Sequence, residues 1–159
     1  MFRVGTGFDV HAFTKGTKLF LCGIEIPFNK GLKGHSDADV ALHALTDSIL
    51  GALALGDIGR WFPDNDPLWE NASSIIFLKK AIELGFNNGF SIGNIDMTII
   101  CEKPKISEIH EHLVKSVAEI CEIEKNRVNI KGTTTEHLGF TGREEGIASI
   151  CTVLLNENK

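Results

Sequence analysis

Two imidazoles and a carboxylate stand at spacings that suit a bound metal ion. Asp9 and His11 close an apolar N-terminal stretch punctuated by glycines, and residues i and i+2 of a β-strand point to the same face. His43 would supply the third ligand. Three protein ligands leave the fourth tetrahedral position of Zn²⁺ open to substrate or water, whereas four ligands, often cysteines, normally close a structural site. The residue types and their spacing therefore predict a catalytic zinc site.

Asp47 lies one helical turn after His43. Since residues i and i+4 share a helix face, its carboxylate is placed to accept the other ring N–H of His43 and to fix the tautomer that binds metal. We therefore predict that Asp47 supports His43. A simpler alternative stays open, because an Asp-x-His pair and a histidine within a helix are common, and proximity in space does not follow from the sequence.

A second group of polar residues follows a short predicted strand. The segment from Lys131 to Arg143 holds threonines at 133–135, Glu136 and three glycines. Hydroxyls and glycine amides donate to phosphoryl oxygens, arginine binds them through two N–H groups, and a carboxylate is the hard ligand that Mg²⁺ prefers. One interpretation is a phosphate and magnesium site, and the other is a threonine-rich surface turn. The segment lacks the phosphate-loop pattern of nucleoside triphosphatases.

Two further motifs are weaker. Gly5-Thr6-Gly7 has only two glycines of the dinucleotide-binding fingerprint and no helix directly after it, which argues against a Rossmann fold. His35-Ser36-Asp37 does not indicate a serine hydrolase, because three adjacent residues cannot form the geometry of nucleophile, base and orienting acid. We expect Ser36 instead to cap the helix that begins at Val40.

Other aspartates and histidines have simpler explanations. Asp57-Ile58-Gly59 and Asp64-Asn65-Asp66 could bind hydroxyl groups, although turn formation explains them nearly as well. His110 and His112 lie in a charged helical stretch, where we expect them to be solvated and without a role.

Composition narrows the class of protein. The 159 residues, of which 43% are hydrophobic and 23% charged, fit one domain over residues 1–159. A net charge of −5 argues against general binding of nucleic acid. The four cysteines are spaced singly, as in a reduced core. The sequence shows no signal-peptide pattern, and the most apolar segment, 40–56, is too short to span a bilayer. We therefore expect a cytoplasmic protein.

The hydrophobic patterns predict a β-rich first third followed by alternating helices and strands. The predicted strands are 2–8, 18–22, 24–28, 94–101, 127–133 and 146–155, and the predicted helices are 40–55, 72–84 and one that follows Pro104. This order favours an α/β (α+β) sandwich, with helices on one face of a mixed sheet of four to five strands. We expect a ferredoxin-like sandwich. The segment 40–55 is apolar nearly all round, which indicates burial on more than one side.

Five motifs in order resemble the 2-C-methyl-D-erythritol 2,4-cyclodiphosphate synthase family, from Gly5 to about Gly146. The motifs are Gly5-Thr6-Gly7-Phe8-Asp9-Val10-His11, His35-Ser36-Asp37-Ala38-Asp39-Val40-Ala41-Leu42-His43-Ala44-Leu45-Thr46-Asp47, Gly56-Asp57-Ile58-Gly59, Phe62-Pro63-Asp64 and Thr133-Thr134-Thr135-Glu136-x-Leu138-Gly139-Phe140. Three departures stand out: His137 replaces a frequent lysine, Gly132 a common alanine, and Cys101 lies in the region that cradles cytosine.

The resemblance implies a metal-dependent phosphorus–oxygen lyase of isoprene biosynthesis by the non-mevalonate pathway. Such an enzyme converts 4-diphosphocytidyl-2-C-methyl-D-erythritol 2-phosphate into 2-C-methyl-D-erythritol 2,4-cyclodiphosphate and CMP. The implied cofactors are Zn²⁺, or another divalent metal, on Asp9, His11 and His43, and Mg²⁺ held partly by Glu136. The implied assembly is a homotrimer, with a cytidine diphosphate substrate and no nucleic-acid or membrane partner.

The resemblance also implies roles for individual residues. His35 and Thr134 match transition-state contacts, and Asp57 and Gly59 would bind the erythritol hydroxyls. Residues 101–107 would form the nucleotide pocket. Phe140 and Arg143 match positions near the trimer axis, where a phosphate or isoprenoid ligand could sit. The full set assigned to substrate binding is Asp9, Val10, His11, His35, Ser36, Asp57, Ile58, Gly59, Phe62, Pro63, Asp64, Asn65, Asp66, Cys101, Glu102, Lys103, Pro104, Lys105, Ile106, Ser107, Thr133, Thr134, Thr135, Glu136, Phe140 and Arg143.

Two other functions fit the metal pattern. A zinc-dependent phosphohydrolase would use the same three ligands to activate water and would release orthophosphate. A non-enzymatic oligomeric module would hold a structural metal and would close the fourth position with another protein ligand. No cysteine lies near Asp9, His11 or His43 in the sequence, which counts weakly against the second.

Overall fold

The computed structural model describes residues 1–158 as seven strands and five α-helices. The strands are β1 (Phe2–Thr14), β2 (Leu19–Leu21), β3 (Ile24–Ile26), β4 (Gly31–Leu32), β5 (Phe90–Ile100), β6 (Val128–Thr133) and β7 (Gly146–Glu157). The helices are α1 (Val40–Ala52), α2 (Ile58–Trp61), α3 (Ser74–Asn87), α4 (Ile106–Cys121) and α5 (Gly139–Gly142), with short 3₁₀ turns at Pro67–Trp69 and Lys125–Arg127.

Five of the strands form one mixed sheet in the order β4-β1-β7-β5-β6, and β2 and β3 form a separate hairpin. β7 is antiparallel to both of its neighbours, whereas β5 and β6 are parallel. The predicted mixed sheet is therefore confirmed. The ferredoxin-like connectivity is wrong, because α4 carries the chain from β5 to its parallel neighbour β6, and β7 then returns to the middle of the sheet.

Helices cover one face of the sheet, with α1 at the centre. Eleven of its thirteen residues are buried, which confirms that this segment is enclosed on more than one side. The buried face of α4, with Leu113 and Val117, packs into the same core as Met97 and Ile99 of β5. The odd-numbered residues of β1 face these helices, so its alternation places Asp9 and His11 on the covered side.

Gly5 and Gly7 allow α1 to lie directly on β1. A Cβ atom at Gly5 would overlap the carbonyl oxygen of Ser48, and one at Gly7 would overlap that of Ala44. The two glycines thus serve helix–strand packing. Because they have no side chains, the backbone of α1 can approach the backbone of β1 closely.

We predict that Gly7→Ala lowers the free energy of unfolding by about 3 kcal/mol, the upper end of the range for overpacked sites, because rigid backbone cannot yield. Gly51→Ala on α1 is the matched control, since its Cβ would come no closer than 4.0 Å to other atoms. Removing a helical glycine there should stabilise by about 0.4–1 kcal/mol. Urea unfolding measures both variants, and equal stabilities would contradict the packing role of Gly7.

Asp39 is the N-cap of α1. Its buried carboxylate accepts N–H bonds from Leu42 at 3.0 Å and from the hairpin residues Cys22 and Gly23 at 3.0 and 2.6 Å. Burial raises the pKa of Asp39, and the N–H bonds oppose this. The predicted cap, Ser36, is therefore wrong: its hydroxyl accepts the Ala38 N–H instead. Asp39 fastens the β2–β3 hairpin to the start of α1.

The sheet face opposite the helices is exposed and rich in apolar side chains. Phe2, Val4, Phe8 and Val10 of β1 and Ile150 of β7 are all exposed there. Their exposed fractions of 37–74% are high for large hydrophobic residues. Within residues 1–158, no helix has the length and apolar character needed to cross a membrane.

Candidate functional site

Asp9, His11 and His43 converge at the junction of β1 and α1. Asp9 Oδ2 lies 3.0 Å from both His11 Nε2 and His43 Nδ1, and the two ring nitrogens are 3.1 Å apart. In a tetrahedral site with metal–ligand bonds of about 2.0–2.1 Å, ligand atoms are about 3.3–3.4 Å apart. The triangle is slightly smaller, so a small outward shift would admit an ion. Two imidazole nitrogens and one carboxylate oxygen are donors that zinc accepts, and the group is a candidate metal site.

Neighbouring groups decide which nitrogen of His11 faces the triangle and whether Asp9 is charged. His11 Nδ1 donates to the Lys33 carbonyl oxygen at 2.8 Å, which makes Nε2 the nitrogen that faces the triangle. Burial opposes ionisation of Asp9, but hydrogen bonds and charge from His11 and His43 hold the pKa of its carboxyl well below its usual range. Asp9 is therefore ionised at neutral pH.

The outer partner of His43 is not Asp47, so that prediction is wrong. His43 Nε2 lies 2.8 Å from Ser74 Oγ and 3.2 Å from Ser36 Oγ. Asp47 Oδ1 instead accepts the N–H of Ile58 at 2.7 Å. Helix side chains lean toward the N-terminus, so the His43 ring reaches toward the start of α1 and away from Asp47. The sequence carried no direct signal for Ser74, which comes from α3.

The segment from Asp57 to Asp66 lies beside the metal group. Asp57 caps α2 by accepting the Arg60 N–H. The ring centre of Phe62 lies 4.5 Å from that of Phe77. The ring centre of Phe77 in turn lies 6.0 Å from that of His43. His35 Nε2 contacts the Asp66 carbonyl oxygen at 3.0 Å. These contacts hold Phe62 and Asp66, at the two ends of the loop that contains Pro63, Asp64 and Asn65, on the side of the molecule that holds the triangle. Ile58, between Asp57 and Gly59, is bound to Asp47 of α1.

Val10 does not share this location. It lies between Asp9 and His11 on β1, so its side chain projects from the opposite, exposed face of the sheet. Only its backbone lies beside the metal group.

A cavity of about 970 Å³ lies between the first turns of α4 and the edge strand β6. Its volume is at the upper end of the range for small-molecule sites. The residues predicted to form the nucleotide pocket that line it are Cys101, Glu102, Pro104, Lys105, Ile106 and Ser107. Thr133 and Thr134, predicted to contact substrate, line it too, as does Gly132. Lys103 is absent from this lining. His110 and His112, for which the sequence indicated no role, also line the cavity.

Glu102 organises the turn that follows β6. Its Oε1 accepts the backbone N–H groups of Thr135 at 3.2 Å and His137 at 3.3 Å. Glu136 Oε1 accepts the Thr134 hydroxyl at 3.3 Å, so the predicted magnesium ligand lies at the rim of the cavity. Thr133 and Thr134 thus line the cavity, and Glu136 follows them at its rim.

Phe140 and Arg143 lie apart from both features, on and just after α5. Phe140 is 39% exposed. Arg143 forms a two-bond ion pair with Glu145 at 2.9 and 3.1 Å. An anion bound by Arg143 would have to displace or share this carboxylate.

The metal group and the cavity are separate features of one chain. None of the three metal-group residues lines the cavity. In the sheet register, Asp9 pairs with Ser149 and Ser149 pairs with Ile99, so β1 and β5 flank β7. Two strand spacings correspond to about 10 Å. The two halves therefore lie toward the same end of the sheet without facing one another within the chain.

A helix-covered mixed sheet with a three-donor group and a separate cavity defines an α+β protein with a candidate metal site. The model of the YgbB family matches residues 2–156, and the chain belongs to this family.

Individual relatives carry more specific names. The chain is 52% identical over 157 residues to 2-C-methyl-D-erythritol 2,4-cyclodiphosphate synthase of Bacillus cytotoxicus, covering 99% of both proteins. It is 58% identical over 153 residues to the bifunctional enzyme IspD/IspF of Rhodobacter capsulatus, covering 96% of this chain but 40% of that relative. The solved structure of Plasmodium falciparum IspF in complex with CDP superposes with a TM-score of 0.88 at 35% identity, covering 99% of this chain and 97% of that one.

The chain thus spans about two fifths of the length of the bifunctional relative and nearly all of the single-function synthase. The family resemblance indicated by the five motifs is confirmed.

Proposed function

We propose that this chain is a metal-dependent lyase that cyclises 4-diphosphocytidyl-2-C-methyl-D-erythritol 2-phosphate to 2-C-methyl-D-erythritol 2,4-cyclodiphosphate and releases CMP. The observation that carries the proposal is the triangle of Asp9, His11 and His43 in a chain whose full-length relatives are named for this reaction. The cavity between α4 and β6 is large enough for a cytidine group. The proposed functional unit is a single domain over residues 1–159.

The protein's task in this reaction is to position the substrate's reacting groups and to neutralise the charge of its phosphates. The substrate's own 2-phosphate attacks the β-phosphorus and CMP leaves, so no protein nucleophile is needed. A divalent ion on Asp9, His11 and His43 would supply Lewis acidity at the β-phosphate, and Mg²⁺ near Glu136 would neutralise the α- and β-phosphates. Asp57 and Gly59 would bind the erythritol hydroxyls, and His35 and Thr134 would donate to the reacting phosphates.

Product analysis tests the proposal. Purified protein with substrate should release CMP and the cyclic diphosphate in equal amounts, as followed by ³¹P NMR. A chelator should stop both, and added Zn²⁺ or Mn²⁺ should restore them. Release of orthophosphate without the cyclic product would support the phosphohydrolase instead.

A shared site in a homotrimer would unite the two halves. The apolar sheet face with Phe2, Val4, Phe8 and Ile150 is suited to burial against other copies around an axis. Such packing would bring the cavity of one chain beside the metal group of another. Phe140 and Arg143 would then lie near the axis, and Val10 would lie at the interface.

Asp47 has a different proposed task from the one first predicted. By accepting the Ile58 N–H, it holds the Asp57–Gly59 turn against α1. We expect Asp47→Ala to raise the KM for substrate about tenfold, the scale of one lost hydrogen bond to a charged group, and to leave zinc affinity unchanged. Steady-state kinetics and metal titration measure the two effects, and weakened zinc binding with an unchanged KM would contradict this role.

The proposed location is the cytoplasm. All four cysteines are free and buried, as expected of a protein from a reducing compartment.

A further inference from the structure

A buried serine hydroxyl connects His43 to a carboxylate on another segment. Ser74, the first residue of α3, is fully buried. Its Oγ lies 2.8 Å from His43 Nε2 and also donates a hydrogen bond to Asp37 Oδ1. Three polar groups from three parts of the chain thus form a continuous line that ends at the candidate metal site.

The direction of the protons follows from the chemistry of the three groups. A carboxylate oxygen accepts, so the Ser74 hydroxyl donates its single O–H to Asp37. The serine oxygen must then accept from His43, which places the ring proton on Nε2. Nδ1 is then the ring nitrogen on the side of Asp9 Oδ2, 3.0 Å away, where a metal ion would sit. This is the tautomer that a ligand binding through Nδ1 requires.

Asp37 is itself held in place by backbone groups. Its Oδ2 accepts the Ser74 N–H at 3.0 Å, and its Oδ1 accepts the Asp39 N–H at 3.2 Å. Its own N–H donates to the Ala72 carbonyl oxygen at 3.0 Å. The carboxylate is therefore fixed relative to both the start of α3 and the cap of α1, the helix that carries His43.

We propose that Ser74 and Asp37 are positioning residues, which hold the His43 ring in its Nε2–H tautomer and aim Nδ1 at the metal. The inference rests on the metal-binding part of the proposed function. The Ser74 oxygen is the nearer of two serine oxygens and accepts the hydrogen bond from His43 Nε2–H. The Ser36 hydroxyl, 3.2 Å from the same nitrogen, is therefore free to bind substrate. The two serines thus have different tasks.

Metal affinity and the tautomer of the metal-free protein test the proposal separately. In a competition titration with a chromophoric chelator, Ser74→Ala and Asp37→Asn should each raise the Kd for Zn²⁺ about 10–100-fold, the scale for outer partners of ligating histidines. Since Asp37 acts through Ser74, the double variant should bind zinc as weakly as Ser74→Ala alone. In ¹⁵N spectra of the metal-free protein, the Asp9 carboxylate competes for the ring proton at Nδ1, so the fraction of His43 protonated at Nε2 should be higher in the wild type than in Ser74→Ala.

Ser73→Ala is the matched control. Ser73 is the N-cap of the same helix, and its exposed hydroxyl accepts the Ile75 N–H at 3.4 Å. The control should lose some stability and keep its zinc affinity and tautomer. Equal loss of zinc affinity in Ser73→Ala and Ser74→Ala, or additive losses for Ser74 and Asp37, would overturn the proposal in favour of a general effect on α3.

Two other results would also be decisive. Weakened zinc binding in Ser36→Ala but not in Ser74→Ala would show that Ser36, and not Ser74, accepts the hydrogen bond from His43 Nε2. That result would overturn the proposal. If the wild type binds no divalent ion, the proposed metal-dependent function fails, and the metal-free tautomers of wild type and Ser74→Ala still decide whether Ser74 orients the ring.

Discussion

His43→Ala is expected to abolish both CMP release and stoichiometric zinc binding while the fold is retained. Removing one of three ligands leaves only Asp9 and His11, which cannot define an open tetrahedral site. The His43 side chain is buried, with 10% exposed, but it is not part of the hydrophobic core cluster, so we expect the variant to lose some stability and keep its fold. Metal analysis, the CMP assay and thermal unfolding give the three readouts.

His137→Ala is the matched histidine control. The His137 ring is 85% exposed and lies outside the metal group, so this variant should retain zinc at the wild-type level. Full zinc content in His43→Ala would refute the ligand assignment. Loss of zinc in both variants would indicate that substitution of histidine in general, and not removal of a ligand, perturbs the protein.

Mixing two inactive variants is expected to restore activity if the site is shared between subunits. His43→Ala damages the metal half, and Thr134→Trp, at an exposed position on the cavity wall, obstructs the nucleotide half. When the two are unfolded together and refolded at equal amounts, random assembly into closed rings pairs two intact halves at about a quarter of the interfaces. CMP release should therefore recover to about a quarter of the wild-type value.

The same mixture distinguishes a shared site from a site within one chain. If each chain contains a whole site, every site carries one of the two lesions, and activity stays at the level of the separate variants. Differently tagged chains that co-purify establish that mixed assemblies have formed. An absence of recovery in such assemblies would refute the shared-site proposal, and a monomer by analytical ultracentrifugation would refute the trimer.

The sequence predicted the local order of the site with good accuracy. The alternation of β1 placed Asp9 and His11 on one face, and the apolar pattern after Asp39 indicated the buried helix that carries His43. β1 continues to Thr14, beyond the predicted end at Phe8, so the i, i+2 argument applied within a real strand. Period and residue type are local properties, and they are visible in a single sequence.

Tertiary structure decided which groups support those residues. Asp47 was the best local candidate for the outer partner of His43, but the ring contacts Ser74, 31 residues away in the chain. The order of the strands could not be predicted from the sequence either, because β7, the last strand of the chain, lies between β1 and β5.

The sequence by itself determined the types of the candidate metal ligands, the apolar helix and the family to which the chain belongs. Only the tertiary structure decided the partners of His43, the role of Gly5 and Gly7 in bringing α1 onto β1, and the separation of metal group from cavity. The physical reason is that the ligands are set by side-chain chemistry and by the period of one element. Their partners depend on how close and at what angle separate elements pack, and no local pattern encodes that geometry.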